Sequence, residues 1–400
     1  MYTTKIEQQT QVLFFIALSL AVLGSLYRFS TWPGHSLLAK YIALTGLFLA
    51  FLRFLAVLYT MPIKNTLIVI LLSPLILYTC TRVHERTYLL YLFLFCVAAW
   101  NMNFRSIVKF FFLINLVFFI VTVFSSICGI IENKVYTRDE FDVIEAVKTQ
   151  EIRTRYCFGY NYPTGFAAYF TYLNIMWWYL RNGILKWMDY ILLVISILFV
   201  DHYCNARTEM IVMSLIVFFS LYYRYRVLQT TKLTWIENIY FILSVPFFAV
   251  LMIFLEYQYI NSSDEIFQFI DIALSGRLHL GADAITTKGI TWFGQYYVQH
   301  GADTKVQYNY IDCQYLIWLI IYGLFTFFLA ISVYVSICKK SVSSREYLTA
   351  IIISVLAVQN LIFPSLGLIK YCPFFMALLS NSSFCSCEVL RGKLVYGKVD

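Results

Sequence analysis

A chain of 400 residues that is 60% hydrophobic and only 13% charged is too apolar for a soluble domain, which runs near 45–50% apolar and about 25% charged. A mean hydropathy of +0.72 points the same way, to a polytopic membrane protein. The net charge of +8 would suggest a nucleic-acid partner in a soluble chain; here the basic residues fall mostly in short segments between apolar runs, where they set membrane orientation, and no nucleic acid is expected.

A helix crossing about 30 Å of hydrocarbon needs about 20 residues. In chain order, apolar runs of that kind fall at 12–27, 37–59, 65–80, 88–104, 107–130, 164–181, 187–203, 208–223, 233–256, 313–337, 347–363 and 367–383. The expected fold is therefore all-α, an integral membrane protein of about twelve transmembrane helices, with roughly ten to thirteen allowed because Pro74, Pro364 and Pro373 shorten or interrupt some runs. Lys5 ahead of the first run resembles a signal start, but more spans follow and no small-x-small cleavage site stands out, so it reads as a retained helix.

The chain divides into N-terminal helices (1–130), a first loop (131–163), central helices (164–256), a large polar loop (257–312), and C-terminal helices with a short cytoplasmic tail (313–400). With the N-terminus inside, Lys64, Arg105, Lys109, Arg181, Lys186, Arg224, Arg226, Lys232, Lys339, Lys340, Arg345, Arg391, Lys393 and Lys398 all lie on the cytoplasmic side. Arg82 and Arg86 are the exceptions. Both long loops then face outward.

No G-x-G-x-x-G, P-loop or H-E-x-x-H motif is present, and no polar interval is long enough for a soluble nucleotide-binding domain. Most cysteines sit inside apolar runs as small hydrophobes, and Cys385-x-Cys387 lacks a second pair or a nearby His at zinc spacing. Neither a metal nor another cofactor is expected. Cys157 and Cys313 both fall on the outer side, where sequence alone gives no geometry for pairing.

The residues that can carry chemistry lie on that outer face. Arg153 and Arg155 precede the helix that begins near Gly165, where guanidinium forks and helix N-terminal donors favour phosphate; pairing with Glu151 or with lipid headgroups is the structural alternative. Arg207 opens another helix between two apolar runs, a costly place for a charge, with Asp201 or Glu209 as alternative partners. In Ser275-Gly276-Arg277, the glycine lets the backbone turn sharply toward a ligand. His279, His300, Asp303 and Asp312 are the groups available as a base, and Asp312 is also placed to cap the next helix. Arg153 to Gly165 and Arg277 to Gly289 share one spacing.

Taken together, Arg153…Phe158-Gly159-Tyr160-Asn161-Tyr162-Pro163, then Ala206-Arg207-Thr208, Ser275-Gly276-Arg277, Trp292-Phe293-Gly294, Asp312-x-x-Tyr315-Leu316 and Tyr322-Gly323, in that order and topology, resemble the Wzy-type polymerases of O-antigen and capsular polysaccharide, within the O-antigen ligase superfamily. The likeness covers about residues 150–325. It implies an enzyme of the bacterial cytoplasmic membrane that transfers a growing glycan from undecaprenyl diphosphate to a new lipid-linked repeat unit at the outer face, using no nucleotide sugar. It also implies Arg277 and Arg153 on the diphosphates, Arg155 and Arg207 in support, and Asp312 or His300 as base on the acceptor hydroxyl. A chain-length regulator and a flippase are the expected partners. An O-antigen ligase shares donor and topology. A lipid-linked oligosaccharide flippase would instead show short loops and an internal repeat, neither of which this chain has.

Overall fold

The computed structural model describes residues 2–33, 35–84, 86–142, 147–230, 232–262, 264–274, 276–301 and 308–381. Ser275, Asp303 and the expected cytoplasmic tail lie outside them. Helices α1 (Tyr2–Arg28) and α2 (His35–Thr60) form an antiparallel pair, followed by α3 (Ile63–Arg82), α4 (Arg86–Ala98) and α5 (Phe104–Ile127). After the first long loop come α6 (Pro163–Leu180), α7 (Trp187–Cys204), α8 (Arg207–Tyr222, continued by a π turn at Tyr223–Val227) and α9 (Trp235–Asn261). The large loop folds into α10 (Glu265–Ala273) and α11 (Arg277–Lys288). The chain then runs through α12 (Gln314–Leu316), a π turn at Ile317–Ile321, α13 (Gly323–Ser343) and α14 (Leu348–Gln359) to a 3-10 turn at Phe374–Leu378.

Local chemistry sets these boundaries. Pro163 takes the first position of α6, where its missing N–H costs nothing. Thr234 and Glu237 form a reciprocal capping box at the head of α9, and Asn205 ends α7 in the left-handed conformation at φ 44°. Among the described residues eight helices are long and apolar enough to cross a membrane (α1, α2, α3, α5, α7, α8, α9 and α13), and the protein is an all-α, multi-pass membrane protein. Helix α6 and the shorter apolar helices α4 and α14 pack among them.

Three features differ from the sequence reading. The first long loop contains an antiparallel hairpin of β1 (Val135–Asp142) and β2 (Val147–Tyr156), with Arg138 opposite Arg153. The run 313–337 is not one helix: it breaks at Tyr322–Gly323, where Gly323 has φ 84°. The expected span 367–383 is, over its described part, a set of turns and one 3-10 turn. Pro364, Gly367 and Pro373 cannot sustain a helix there. Such backbone is tolerated at membrane depth only where protein groups satisfy it, and here Asn360 Oδ1 accepts from the Ser365 and Leu366 amides at 3.1 and 3.0 Å, while Gln314 Oε1 accepts from Gly367 at 3.0 Å.

Three of the basic residues expected on the cytoplasmic side make their contacts at one end of the bundle. There, Arg105 bonds the Leu180 carbonyl and Asn182, Arg181 pairs with Asp189 at 3.3 Å, and Lys340 donates to the Ser380 carbonyl at 2.8 Å. The hairpin and α11 gather at the opposite end around a cavity.

Candidate functional site

The cavity has a volume of about 510 Å³ and draws its walls from segments far apart in sequence. The end of α1, the start of α4, β2, the start of α6, the start of α11, residues 299–301 and 308–326, and residues 363–371 all contribute. These are segments expected at the outer face, together with the broken backbone between α14 and the 3-10 turn.

Arg277 is held by the turn that carries it. Gly276 has φ 78°, which lets the chain reverse between α10 and α11 and puts Arg277 at the first position of α11. Asp271 staples that turn: its carboxylate accepts from the His279 amide at 3.0 Å and its carbonyl from Gly276 at 2.8 Å. The guanidinium donates from Nη1 to the Leu274 carbonyl at 2.8 Å and places Nε 3.2 Å from Asp312 Oδ2. Asp312 lies one residue before the helix cap position, which Cys313 occupies, so its carboxylate meets Arg277 instead of capping α12. Burial raises the Asp312 carboxyl above the ordinary carboxylate range, while the Arg277 charge pulls it partly back.

Arg155 reaches the cavity from β2, anchored by its Nε to the Cys204 carbonyl at 2.7 Å. That carbonyl is the last of α7, where the helix dipole favours a cation. A third cation, Lys370, comes from the irregular segment after α14. It is 5% exposed, lines the cavity, and stacks its ammonium over the Phe29 ring at 3.0 Å from the centroid. Aromatic side chains, including Tyr162, Tyr308 and Tyr310, form much of the remaining wall.

Other expected residues are not brought to the cavity. Arg153 lies two residues before Arg155 on the strand, one pleat further out, and is exposed. Arg207, at the head of α8, is exposed, and its proposed partner Glu209 instead accepts from Gln359 Nε2 at 3.0 and 2.8 Å. Asn309 Oδ1 accepts from the His300 amide at 2.6 Å; Gln299 and Gly301 line the cavity and His300 does not. Asp303 is outside the described residues. The shared spacing to Gly165 and Gly289 has unrelated causes: the first lies in the first turn of α6, the second just past the end of α11. Cys157 and Cys313 are both buried, and no disulfide joins them.

The glycines of the two aromatic motifs do meet. Gly294 and Gly323, with φ 79° and 84°, approach so closely that a Cβ on Gly294 would lie 2.5 Å from the Ile321 carbonyl oxygen. The Leu324 and Phe325 amides donate to the Thr291 and Trp292 carbonyls at 2.9 and 3.0 Å, tying the loop onto the break before α13.

Sequence reasoning missed Lys370 because it lies within a run read as a span. The signal was there: an ionisable residue flanked by apolar sequence is expected to face a cavity or a partner. Among the described residues no three His, Cys, Asp or Glu side chains come together to hold a metal. Among the described residues the chamber holds three cations, one half-buried carboxylate and aromatic walls. It suits an anionic group beside a polyhydroxylated one. No protein-family model, curated protein or solved structure matches the chain.

Proposed function

We propose that the protein is a polysaccharide polymerase of the bacterial cytoplasmic membrane, joining undecaprenyl diphosphate-linked repeat units at the outer face. The observation that carries this reading is the convergence of Arg155, Arg277 and Lys370 with Asp312 on one cavity. A lipid diphosphate is both the anchor of the donor and its leaving group, so the cations meet the charge that grows as the bond breaks. Aromatic faces and phenolic hydroxyls match the C–H faces and hydroxyls of sugar rings.

In the transfer, a hydroxyl oxygen of the incoming repeat unit attacks the anomeric carbon of the growing chain. The bond from that carbon to the diphosphate breaks, and its electron pair leaves with the lipid diphosphate. The hydroxyl proton passes to Asp312, whose raised carboxyl pKa makes it a stronger base than an ordinary aspartate. A diphosphate beside Arg277 competes with Asp312 for the guanidinium, so substrate entry itself releases the carboxylate for that role.

Arg277→Ala in a strain that depends on this protein is the test: single-repeat glycolipid accumulates and long polymer disappears. Normal chain length in that strain rejects the assignment. A variant that keeps polymerising but fails to attach polymer to lipid A core would favour the ligase reading instead.

A further inference from the structure

The fold uses only half of the Gln314 side-chain amide. Its Oε1 accepts from the Gly367 amide at 3.0 Å and helps to satisfy the irregular backbone after α14. That bond also fixes which way the amide points: only the oxygen can face an N–H, so Nε2 is turned away from it. Gln314 is 2% exposed and lines the cavity, and its Nε2 makes no hydrogen bond among the described residues. Gly367 leaves just enough room for this arrangement, since a Cβ there would lie 2.7 Å from both Nε2 and Oε1. Four residues on, Trp318 shares the same face of α12 and its π turn and lines the cavity too. The π turn packs on α13, where Trp318 stacks on Tyr334 at 6.1 Å between ring centroids. Thr326, in the first turn of α13, also lines the cavity; it is 3% exposed, and its Oγ1 is buried with no hydrogen-bond partner among the described residues. Leu89 and Leu92 of α4 add an apolar surface. A buried hydroxyl and an oriented amide donor are costly to leave unpaired, and both belong to residues of one cavity wall.

We propose that Gln314 and Thr326 are specificity-determining residues that read an acylamino substituent on the sugar held at Asp312, a proposal that rests on the polymerase reading. The chemistry of the wall selects that substituent. An acylamino group needs a donor for its carbonyl, an acceptor for its N–H and an apolar surface for its alkyl end. Gln314 Nε2, Thr326 Oγ1 and the pair Leu89 and Leu92 supply the three. A hydroxyl in the same position would use the polar groups alone and leave the leucines against water. Gln314 follows Asp312 by two residues, at most about 7 Å of backbone, so the substituent lies within one sugar ring of the reacting oxygen. Holding up the backbone at Gly367 requires only the oxygen of Gln314; reading the substituent is what its nitrogen adds.

The test uses the full chain in phospholipid nanodiscs and two matched pairs of methyl glycosides, gluco and galacto, each with either a hydroxyl or an acetamido group at C2. Affinities are read by saturation-transfer NMR. In at least one pair the acetamido sugar should bind about tenfold more tightly than its hydroxyl counterpart. Thr326→Val keeps the shape and removes only the unpaired hydroxyl, and Gly367→Ala displaces the Gln314 amide without altering a polar group. Each should cut the ratio to about threefold or less, and Gln314→Met should bring it to about one. Equal affinity within both pairs, or a preference that persists in Thr326→Val and Gly367→Ala, overturns the subsite and leaves the polymerase reading standing. If Gln314→Met does not fold, the other two variants decide. Binding of neither kind of glycoside overturns the sugar-site reading on which the subsite depends, and the subsite with it.

Discussion

Arg277 Nε lies 3.2 Å from Asp312 Oδ2, joining the first residue of α11 to the last loop residue before the cap of α12, and each side chain is only about a fifth exposed. On the proposed reading, the pair holds the phosphate ligand and the base in contact before any substrate arrives. Asp312→Asn keeps the shape and removes the base, so turnover should fall about 10²–10⁴-fold while binding of the lipid diphosphate is retained. Equal loss of binding and turnover would make Asp312 an orienting partner of Arg277 and nothing more.

The pH profile gives an independent reading of the same residue. Burial raises the Asp312 carboxyl, with Arg277 opposing, so it stays protonated to a higher pH than the usual value of about 3.9. A base must be deprotonated to work. Activity should therefore rise with pH on a limb whose midpoint lies above the ordinary aspartate value, and that limb should vanish in the residual activity of Asp312→Asn. A rate already level at pH 4 argues against it.

Helix α11 is seated by a close approach at Gly281. Glu256 of α9 is fully buried, and its Oε1 occupies the space a Cβ on Gly281 would need. Gly281→Ala should shift α11, carry Arg277 away from Asp312, and lower stability by about 1–3 kcal/mol. Glu256→Ala in the same chain makes room, so the double variant should regain stability relative to Gly281→Ala, a coupling measurable in thermal unfolding. Additive losses would mean that the two residues do not meet.

Gly323→Ala combines a positive φ with a backbone clash against Gly294, whereas Gly129, at φ 72°, has open space around it. The first substitution should lower the unfolding temperature and abolish polymer; the second should cost only backbone strain of about 1 kcal/mol. Equal effects would remove the close approach as a constraint.

Asp283 is 56% exposed on α11, in the loop assigned to the outside. A single cysteine at this position should react with an impermeant maleimide in intact cells. Protection until the cells are broken would invert the topology.

Much of the architecture is readable from hydropathy. The runs 187–203 and 208–223 correspond to α7 and α8 within a residue, because apolar content and length alone define a lipid-crossing helix. The hairpin escaped because its strands, VYTRDEFD and VKTQEIRTRY, are polar on both faces and lack the alternation that betrays a half-buried strand. For the same reason, nothing in the sequence distinguished Arg155 from Arg153. Residues 361–373 escaped because a buried irregular segment is as apolar as a helix; its backbone is satisfied by Asn360 and Gln314, partners that only the tertiary structure brings near. Arg277 and Asp312 were legible as reactive types in an outer loop, but their contact was not.

The most direct measurement is polymerisation by the purified protein in liposomes, supplied only with a synthetic undecaprenyl diphosphate-linked repeat unit. The account predicts a ladder of lengthening glycans with release of undecaprenyl diphosphate, lost in Arg277→Ala and reduced about 100-fold or more in Arg155→Ala. Arg207→Ala, whose side chain is exposed away from the cavity, should keep the ladder. No ladder from the unaltered protein, or one that survives Arg277→Ala, would contradict it.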